Sequence, residues 1–360
     1  MMTASDLTPR RLTPEMGVFP LALGCWAIGG PTVNAGSPFG WGPIDEDRAL
    51  EGLRHAVRHG VNFFDTADVF GHGRSERLLG RLLDEVERES LFVASKAGWT
   101  RGSAPHPYAG PRLRHQFEQS IENLGVEYLD VYFLHTLDFG NNDTYLHTVI
   151  SQMQALREVG YIKAIGMRGP HCPSPSGRQD TADVRNSRFA MIFNLLRPDI
   201  LWAPFNPLCP LPEVNGENLL SFTARHGVAL LLTEPLAQGL LTGKYNPEDP
   251  PAFGPGDHRR HKRWFSNPGL RIITDGLQPL RERFGANTQD LTRVALRYSL
   301  QQAHHTAAVV GFSSPDQVQQ NLGCIGSPLT DEDMAFVDIV YRQLRAKLQA
   351  TEDHRVEVPA

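Results

Sequence analysis

Eight short apolar runs that alternate with amphipathic stretches predict a (β/α)8 TIM barrel for this chain of 360 residues. Nearly continuous apolar strands between helices are typical of a parallel sheet covered by helices. Eight strand–helix units, in a chain of ordinary length for one barrel, favour closure of that sheet. The alternative, an open doubly wound sheet, should carry a G-x-G-x-x-G turn after an early strand, and "GHGRSE" at 71–76 lacks the third glycine. We expect residues 1–360 to form a single domain.

The elements follow one another in a regular order. "PLALGCW" and "VNFFDT" are apolar runs of strand length, whereas "SERLLGRLLDEVER" carries leucines at helical spacing behind Ser75. The same reasoning predicts strands at 20–26, 61–66, 90–96, 128–135, 162–167, 199–204, 228–233 and 306–311. It predicts helices at 45–60, 75–88, 110–125, 143–159, 183–196, 215–226, 289–303 and 315–323, and an extra C-terminal helix at 330–349.

Four connections interrupt this alternation, at 29–43, 97–111, 169–182 and 246–288. All four follow strands, so in a barrel they are long loops at the C-terminal face, where active sites are built. The first, third and fourth are expected to shape a substrate site. The fourth contains the basic run "HRRHKRW" (258–264), which is either a solvated basic surface or a lid that touches phosphate groups or an anionic substrate.

The composition describes a globular protein with 41% hydrophobic and 21% charged residues. A formal net charge of −5 favours neither nucleic acid nor an anionic membrane as a partner. The cysteines predict neither a disulfide framework nor a metal site, because they are scattered without C-x-x-C spacing. They are Cys25, Cys172, Cys209 and Cys324. The N-terminus lacks the apolar region of a signal peptide, and no apolar run approaches a membrane span. We therefore expect a cytoplasmic protein.

Three polar residues stand at the carboxyl ends of neighbouring predicted strands. Asp65, Lys96 and His135 follow the second, third and fourth apolar runs, so a barrel would bring their side chains to one rim. A lysine in this position needs a counter-ion, and Asp65 is the obvious one. One interpretation is a buried ion pair beside a core histidine. The coincidence of three such residues on adjacent strands favours an active site.

The chain resembles the aldo-keto reductase superfamily over nearly its whole length, most closely the bacterial, NADPH-using branch. The resemblance rests on "LALGCWAIGG", "FFDTADVFGHGRSERLLG", "VASKAGW", "LDVYFLH", "EPLAQGLLTGKY" and "VVGFSSPDQVQQN", in the family's order. Matched motif to motif, Asp65, Lys96 and His135 fall on three of the four catalytic positions, and Phe70 falls on the tyrosine. In that family hydride passes from nicotinamide to a carbonyl carbon while the tyrosine protonates the oxygen. Phe70 has the ring but no proton to give.

The resemblance also implies a dinucleotide site. The residues expected to bind the cofactor are Gly24, Trp26, Arg168, Trp202, Leu236, Gln238, Leu241, Lys244, Gly311, Ser313, Ser314, Gln317 and Asn321. NADP(H) is the expected cofactor, but serine at 313 and 314 replaces the basic residue usual for a 2′-phosphate, so NAD(H) stays open. Ser314 before Pro315 also has the pattern of a helix cap.

The nicotinamide end departs most from the family pattern. Arg168 stands at a serine, Trp202 stands at a glutamine, and Thr233-Glu234 replaces an aromatic and a small residue. Trp202 is expected to pack on the nicotinamide ring. Trp41, His72 and Tyr108 are expected at the substrate.

Three functions remain open. The first is an NADP(H)-dependent oxidoreductase for a small polar carbonyl or alcohol, whose proton comes from His72, His135, Tyr108 or water. The second is a non-redox lyase or dehydratase that uses Lys96, Asp65 and His135 for acid–base work. The third is a nucleotide-binding protein without turnover. An engineered Tyr→Phe change at position 70 is a further interpretation of that residue.

Overall fold

The computed structural model describes residues 8–170 and 182–353, and eight parallel strands within them close into a barrel. The barrel strands are β1 (Leu21–Gly24), β2 (Phe63–Asp65), β3 (Phe92–Ala97), β4 (Leu129–Leu134), β5 (Ile162–Arg168), β6 (Ile200–Pro204), β7 (Ala229–Thr233) and β8 (Thr306–Gly311). The α-helices are α1 (Glu46–Arg58), α2 (Arg74–Leu83), α3 (Arg112–Leu124), α4 (Leu146–Val159), α5 (Ala182–Leu196), α6 (Leu219–His226), α7 (Asn267–Gly276), α8 (Gln278–Phe284), α9 (Thr288–Leu300), α10 (Pro315–Gly323) and α11 (Asp331–Asp353).

Closure of the sheet decides between the two predicted folds. Each strand pairs in parallel with the next along the chain, and β8 pairs with β1 through Ala308 opposite Leu21 and Gly311 opposite Gly24. The predicted (β/α)8 barrel is therefore confirmed, and the open doubly wound alternative is wrong. Because the strands are parallel, their carboxyl ends all open at one face.

The barrel interior is a packed core. Its buried side chains alternate along the strands with those that face the helices, and they include Phe63, Val131, Phe133 and Leu231. A hairpin formed by Arg10–Thr13 and Met16–Val18 adds apolar side chains at the opposite end from the strand carboxyl ends. The amino-terminal end of the barrel is thus filled, which leaves the carboxyl-terminal face for a site.

The structure corrects two helix boundaries and adds two helices. The predicted helix at 75–88 ends at Leu83. The predicted helix at 215–226 starts only at Leu219. It follows a short hairpin whose last residue, Asn218, is the N-cap of the helix. The predicted loop at 246–288 contains α7 and α8. The glycines of α7 weaken its helical pattern in the sequence. A Cβ at Gly276 would lie 2.6 Å from the Leu344 side chain of α11, which would have to shift to accommodate it.

Two of the long loops are joined above the barrel. The loop at 29–43 carries a short strand pair, Val33–Asn34 with Ser37–Pro38. Gly40 donates from its backbone N to the Gly256 carbonyl at 2.9 Å, and His258 donates from its backbone N to the Gly40 carbonyl at 3.0 Å. The basic run at 258–264 is therefore docked on the first loop. Of the predicted loop at 169–182, residues 171–181 lie outside the described residues.

No helix among residues 8–170 and 182–353 has the length and apolarity needed to cross a membrane.

The barrel interior predicts an effect of Gly166→Ala on stability. Gly166 of β5 lies opposite Phe133 of β4, and a Cβ at position 166 would overlap the Phe133 ring. Overpacking of this kind costs about 1–3 kcal/mol, so urea unfolding of Gly166→Ala should show that loss of unfolding free energy. Gly17→Ala is the matched control, because nothing lies within 4 Å of a Cβ there. Equal stability of the two variants would contradict this packing.

Candidate active site

A buried ion pair lies at the carboxyl ends of β2 and β3. Lys96 Nζ is 2.6 Å from Asp65 Oδ1, and it donates to the Thr66 carbonyl at 2.7 Å. Only 3% of Lys96 and 7% of Asp65 are exposed, so each charge depends on the other for its solvation. Burial raises the pKa of the Asp65 carboxyl, and the neighbouring ammonium opposes that rise. The two residues that the sequence predicts as partners are thus in contact.

His135 lies beside this pair at the end of β4. Its backbone N donates to the Ala97 carbonyl at 2.8 Å, which ties it to β3. Burial and the charges of Lys96 and Arg168 lower the pKa of His135 well below its ordinary value. The ring is therefore neutral at pH 7, with a single N–H to donate. Its Nδ1 is buried and has no hydrogen-bond partner within residues 8–170 and 182–353.

Phe70 completes the cluster from the loop between β2 and α2. Its ring lies edge to face with His135, with centroids 5.8 Å apart, and the Lys96 Nζ lies 5.2 Å from its centroid. The backbone is held by a close crossing, because a Cβ at Gly29 would lie 2.7 Å from the Phe70 carbonyl carbon. The ring is therefore fixed against the ammonium and the imidazole.

Aromatic side chains form one wall of the opening. Trp26 stacks on Phe70 at 5.8 Å, meets Trp41 at 5.5 Å, and donates from Nε1 to the Phe39 carbonyl at 2.9 Å. His258 of the basic run stacks on Trp26 at 4.1 Å. Burial lowers the pKa of His258 to about 3, so it packs as a neutral ring.

Arg259 connects this wall to the basic run. Its guanidinium lies 4.2 Å from the ring centroids of both Trp41 and Phe253, and it pairs with Asp257 at 2.6 Å. Cation–π contacts of this kind favour a fixed position of the loop. The basic run is thus part of the cover over the opening as well as a charged surface.

The ends of β5, β6 and β7 carry buried polar atoms without partners. Arg168 and Trp202 are opposite each other in register, and the guanidinium lies 5.2 Å from the indole centroid. Arg168 Nε, Trp202 Nε1 and Thr233 Oγ1 are buried, and no partner among the described residues satisfies them. Burial lowers the pKa of Arg168, and the Glu234 charge opposes this. Buried donors of this kind are normally satisfied, so three together indicate a place for a ligand.

One cleft of about 1120 Å³ joins these groups. It reaches from the barrel mouth, past the turn at 236–244, to the start of α10. Of the residues predicted for the site it is lined by Gly24, Trp26, Trp41, Asp65, Phe70, Lys96, His135, Arg168, Trp202, Leu236, Gln238, Lys244, Gly311, Ser313, Gln317 and Asn321. Basic side chains from the covering loop also line it: Arg259, His261, Lys262 and Arg263. The cleft is large enough for an extended cofactor together with a small second molecule.

Four predicted site residues do not line this cleft: Leu241, Ser314, His72 and Tyr108. Ser314 instead caps α10 by accepting from Gln317 N at 3.4 Å, and Leu241 is part of a buried apolar cluster. His72 contacts the Val33 carbonyl through Nε2 at 3.1 Å. Tyr108 is fully buried and donates to the Thr136 carbonyl at 2.9 Å. Neither His72 nor Tyr108 is placed to protonate a molecule in the cleft.

Two buried carboxyl groups behind Phe70 were missed from the sequence. Asp68 and Glu76 are buried, and burial together with the Glu76 charge raises the pKa of Asp68 to about 7. Ser95 donates to Glu76 at 2.7 Å and Asn123 donates to it at 2.9 Å. Both acids belong to the "DTADVFGHGRSE" motif, but nothing in the sequence showed that they turn inward. No cluster of potential metal ligands is found among residues 8–170 and 182–353.

The fold and the site define a barrel protein with an aspartate–lysine–histidine cluster at its mouth and a long cleft beside it. Residues 20–342 match the model of the Aldo/keto reductase family. The chain belongs to this family.

Characterised relatives cover most of the chain. The NADH-specific methylglyoxal reductase of Escherichia coli K12 is 27% identical over 90% of this chain and 95% of its own length. The L-galactose dehydrogenase of Arabidopsis thaliana is 29% identical over 80% and 82%, respectively. Among solved structures, the glycerol dehydrogenase of Gluconobacter oxydans superposes with a TM-score of 0.71 at 26% identity and covers 95% of this chain and 96% of its own.

The raised pKa of Asp68 predicts a pH-dependent stability. The folded protein keeps a proton on this carboxyl up to about pH 7, whereas the unfolded chain loses it near the ordinary value of 3.8. Stability contributed by the protonated carboxyl is therefore present at low pH and is lost as the pH rises from about 4 to 7. Relative to Asp68→Asn, the parent should lose roughly 1–4 kcal/mol of unfolding free energy across this window.

Urea unfolding at several pH values measures this difference. Asp47→Asn, at a side chain that is 93% exposed, is the matched control and should keep the parent's pH profile. Parallel profiles for the parent and Asp68→Asn would contradict a protonated Asp68.

Proposed function

We propose that the protein is an NADP(H)-dependent oxidoreductase that reduces a small polar carbonyl or oxidises the corresponding alcohol, with a proton donor other than tyrosine. The observation that carries the proposal is the position of the Lys96–Asp65 pair and His135 at one end of the long cleft. Such a cluster polarises a carbonyl oxygen, and the rest of the cleft accommodates a dinucleotide. The hydride comes from the nicotinamide when the cofactor is bound.

The residues at the far end of the cleft support binding of the diphosphate and the adenosine of the cofactor. The turn at 236–244 has positive φ at Gln238 (60°) and Gly239 (91°) and brings Lys244 into the cleft. Lysine side chains are common phosphate ligands. Ser313, Gln317 and Asn321 would contact the adenosine at the start of α10.

The charge of the covering loop supports NADP(H). Serines 313 and 314 bring no positive charge to a 2′-phosphate. Lys262 and Arg263 line the same cleft and supply that positive charge. NAD(H) remains the alternative cofactor, since the E. coli relative is an NADH-specific methylglyoxal reductase.

The buried polar atoms without partners at the ends of β5–β7 support binding of the nicotinamide end of the cofactor at this position. We assign Arg168, Trp202 and Thr233 to the carboxamide, since Arg168 Nε and Trp202 Nε1 donate and Thr233 Oγ1 both donates and accepts. Trp202 would pack its indole beside the nicotinamide ring. This arrangement replaces the serine and glutamine that the family uses there.

The substrate class follows from the lining of the mouth. The rings of Trp26, Trp41, Phe70 and Trp99 line the cleft together with Lys96 and His135. Aromatic faces accommodate the C–H surfaces of small polyols and sugars, and the cluster beneath them hydrogen-bonds one oxygen. The names of the relatives point the same way: methylglyoxal reductase, L-galactose dehydrogenase and glycerol dehydrogenase.

The proton source distinguishes this chain within its family. Phe70 occupies the position of the catalytic tyrosine in the motif and has no proton to give. His135 is neutral, and a neutral imidazole stabilises an oxyanion by hydrogen bonding rather than by proton transfer. The proton must therefore come from another group in the mouth or from water.

Cofactor titration is the first test of this proposal. Lys244→Met should weaken NADPH binding about tenfold or more, because a charge-assisted hydrogen bond contributes about 1.5–3 kcal/mol. Fluorescence titration with NADPH, NADP⁺ and NADH measures the three Kd values. Lys163→Met is the matched control, since Lys163 is exposed and does not line the cleft.

Turnover separates the proposal from its alternatives. The parent should oxidise NADPH with methylglyoxal or glyceraldehyde, or reduce NADP⁺ with L-galactose or glycerol. Absence of binding by all three nucleotides would contradict the proposal and leave the non-redox lyase. Binding without hydride transfer across this panel would instead indicate a nucleotide-binding protein without turnover.

A further inference from the structure

We propose that the Lys96 ammonium itself donates the proton to the substrate oxygen, directly or through one water, in place of the missing tyrosine hydroxyl. This inference rests on the proposed function above and names the catalytic acid of that reaction. It assigns Lys96 a transfer role, where the resemblance implies only that it tunes a neighbouring phenol.

The hydrogen bonds of Lys96 leave one N–H available. An ammonium group has three donors. The Thr66 carbonyl accepts one of them at 2.7 Å, and Asp65 Oδ1 forms an ion pair with Nζ at 2.6 Å. Within the part of the chain that the structure describes, no acceptor takes the third, and Lys96 lines the cleft. The two bonds fix Nζ, so the third N–H is held at the mouth.

Phe70 contacts the ammonium without accepting a hydrogen bond from it. The ammonium lies 5.2 Å from the centroid of its ring, within the range of a cation–π contact. This contact takes no N–H donor from the ammonium. A phenol in contact with Nζ would accept the third N–H, whereas the phenyl ring leaves it for a substrate.

The other acids of the mouth are less suited. His135 is neutral because burial and the Lys96 and Arg168 charges lower its pKa. Asp65 is ion-paired with Lys96. The Tyr108 hydroxyl donates to backbone carbonyls, and His72 contacts the Val33 carbonyl and does not line the cleft. Lys96 is thus the group that both carries a proton and faces the place where the oxygen must lie.

The proposed step balances. A bound reduced cofactor would supply the hydride to the carbonyl carbon and be oxidised, and the C=O π electrons would become a lone pair on oxygen. One N–H bond of Lys96 would break as the O–H bond forms, which would leave a neutral amine. Asp65 keeps the amine in place until water returns the proton. In the oxidative direction the neutral amine takes the hydroxyl proton as hydride leaves the carbon.

Lys96→Arg is the discriminating variant. Arginine keeps the positive charge beside Asp65 but does not release a proton in a protein. General acid catalysis contributes on the order of 10²–10⁴-fold, so kcat of Lys96→Arg should fall by that factor while NADPH affinity is unchanged. If the lysine acts only through its charge, Lys96→Arg keeps most of the parent's kcat, and the inference is overturned.

A second substitution tests whether the lost function is a proton. Phe70→Tyr in the Lys96→Arg background supplies a phenol beside a permanent cation, and it should restore kcat by at least about tenfold. Absence of any gain would show that Lys96→Arg had lost something other than an acid, which overturns the inference. Unchanged NADPH titration of both variants shows that they are folded.

Chemical rescue gives a measurement that does not depend on arginine fitting the site. Lys96→Ala with added methylammonium or ethylammonium should regain turnover in proportion to the concentration of the ion. Guanidinium at the same concentration is the control and should give none. Equal rescue by guanidinium would show a charge effect and overturn the inference. A parent without hydride transfer would contradict the proposed function itself, whereas an active parent with an active Lys96→Arg contradicts the assignment of Lys96 alone.

Discussion

The charge pair between Lys96 and Asp65 is the interaction on which the mouth of the barrel depends. Two ions buried 2.6 Å apart are stable only while both are present, because removal of one leaves the other without solvation. Breaking such a pair costs about 3–5 kcal/mol. Loss of either partner alone would therefore destabilise the ends of β2 and β3, where Thr66, Phe70 and His135 lie close to the pair.

The polar groups near the pair are arranged to bind a ligand. On adjacent strand ends, a buried polar atom without a partner among the described residues occurs in each of Arg168, Trp202, Thr233 and His135. Each unsatisfied atom costs about 1–3 kcal/mol in the empty protein. Several unsatisfied polar atoms in one place are expected where a bound ligand supplies their hydrogen bonds. All four residues line the cleft, in agreement with this expectation. The cleft is present with Arg168 and Trp202 in its lining, and their proposed role is to hold the nicotinamide end of a cofactor.

The sequence predicted the barrel and the partners at its mouth, since both follow from local rules. Apolar runs identify strands, and parallel strands bring their last residues together, so the contact of Asp65 with Lys96 could be expected. The positions of other site residues depend on tertiary contacts, which the sequence does not show. Tyr108 looked like a loop residue open to substrate, but its hydroxyl is taken by backbone carbonyls at 2.9 Å and 3.1 Å. His258 lay in a charged run, and only its stacking on Trp26 makes it part of the wall.

The route of the hydride tests the central claim, that this cleft places a nicotinamide against a carbonyl above Lys96 and His135. Single-turnover reduction of methylglyoxal with NADPH deuterated at C4 measures it, with each C4 face labelled in turn and the product examined by mass spectrometry. We expect deuterium from one C4 face to appear at the product carbon. Deuterium on that face should also slow the oxidation of the cofactor. Product that contains no deuterium from either face, or cofactor that binds without oxidation, would contradict the account.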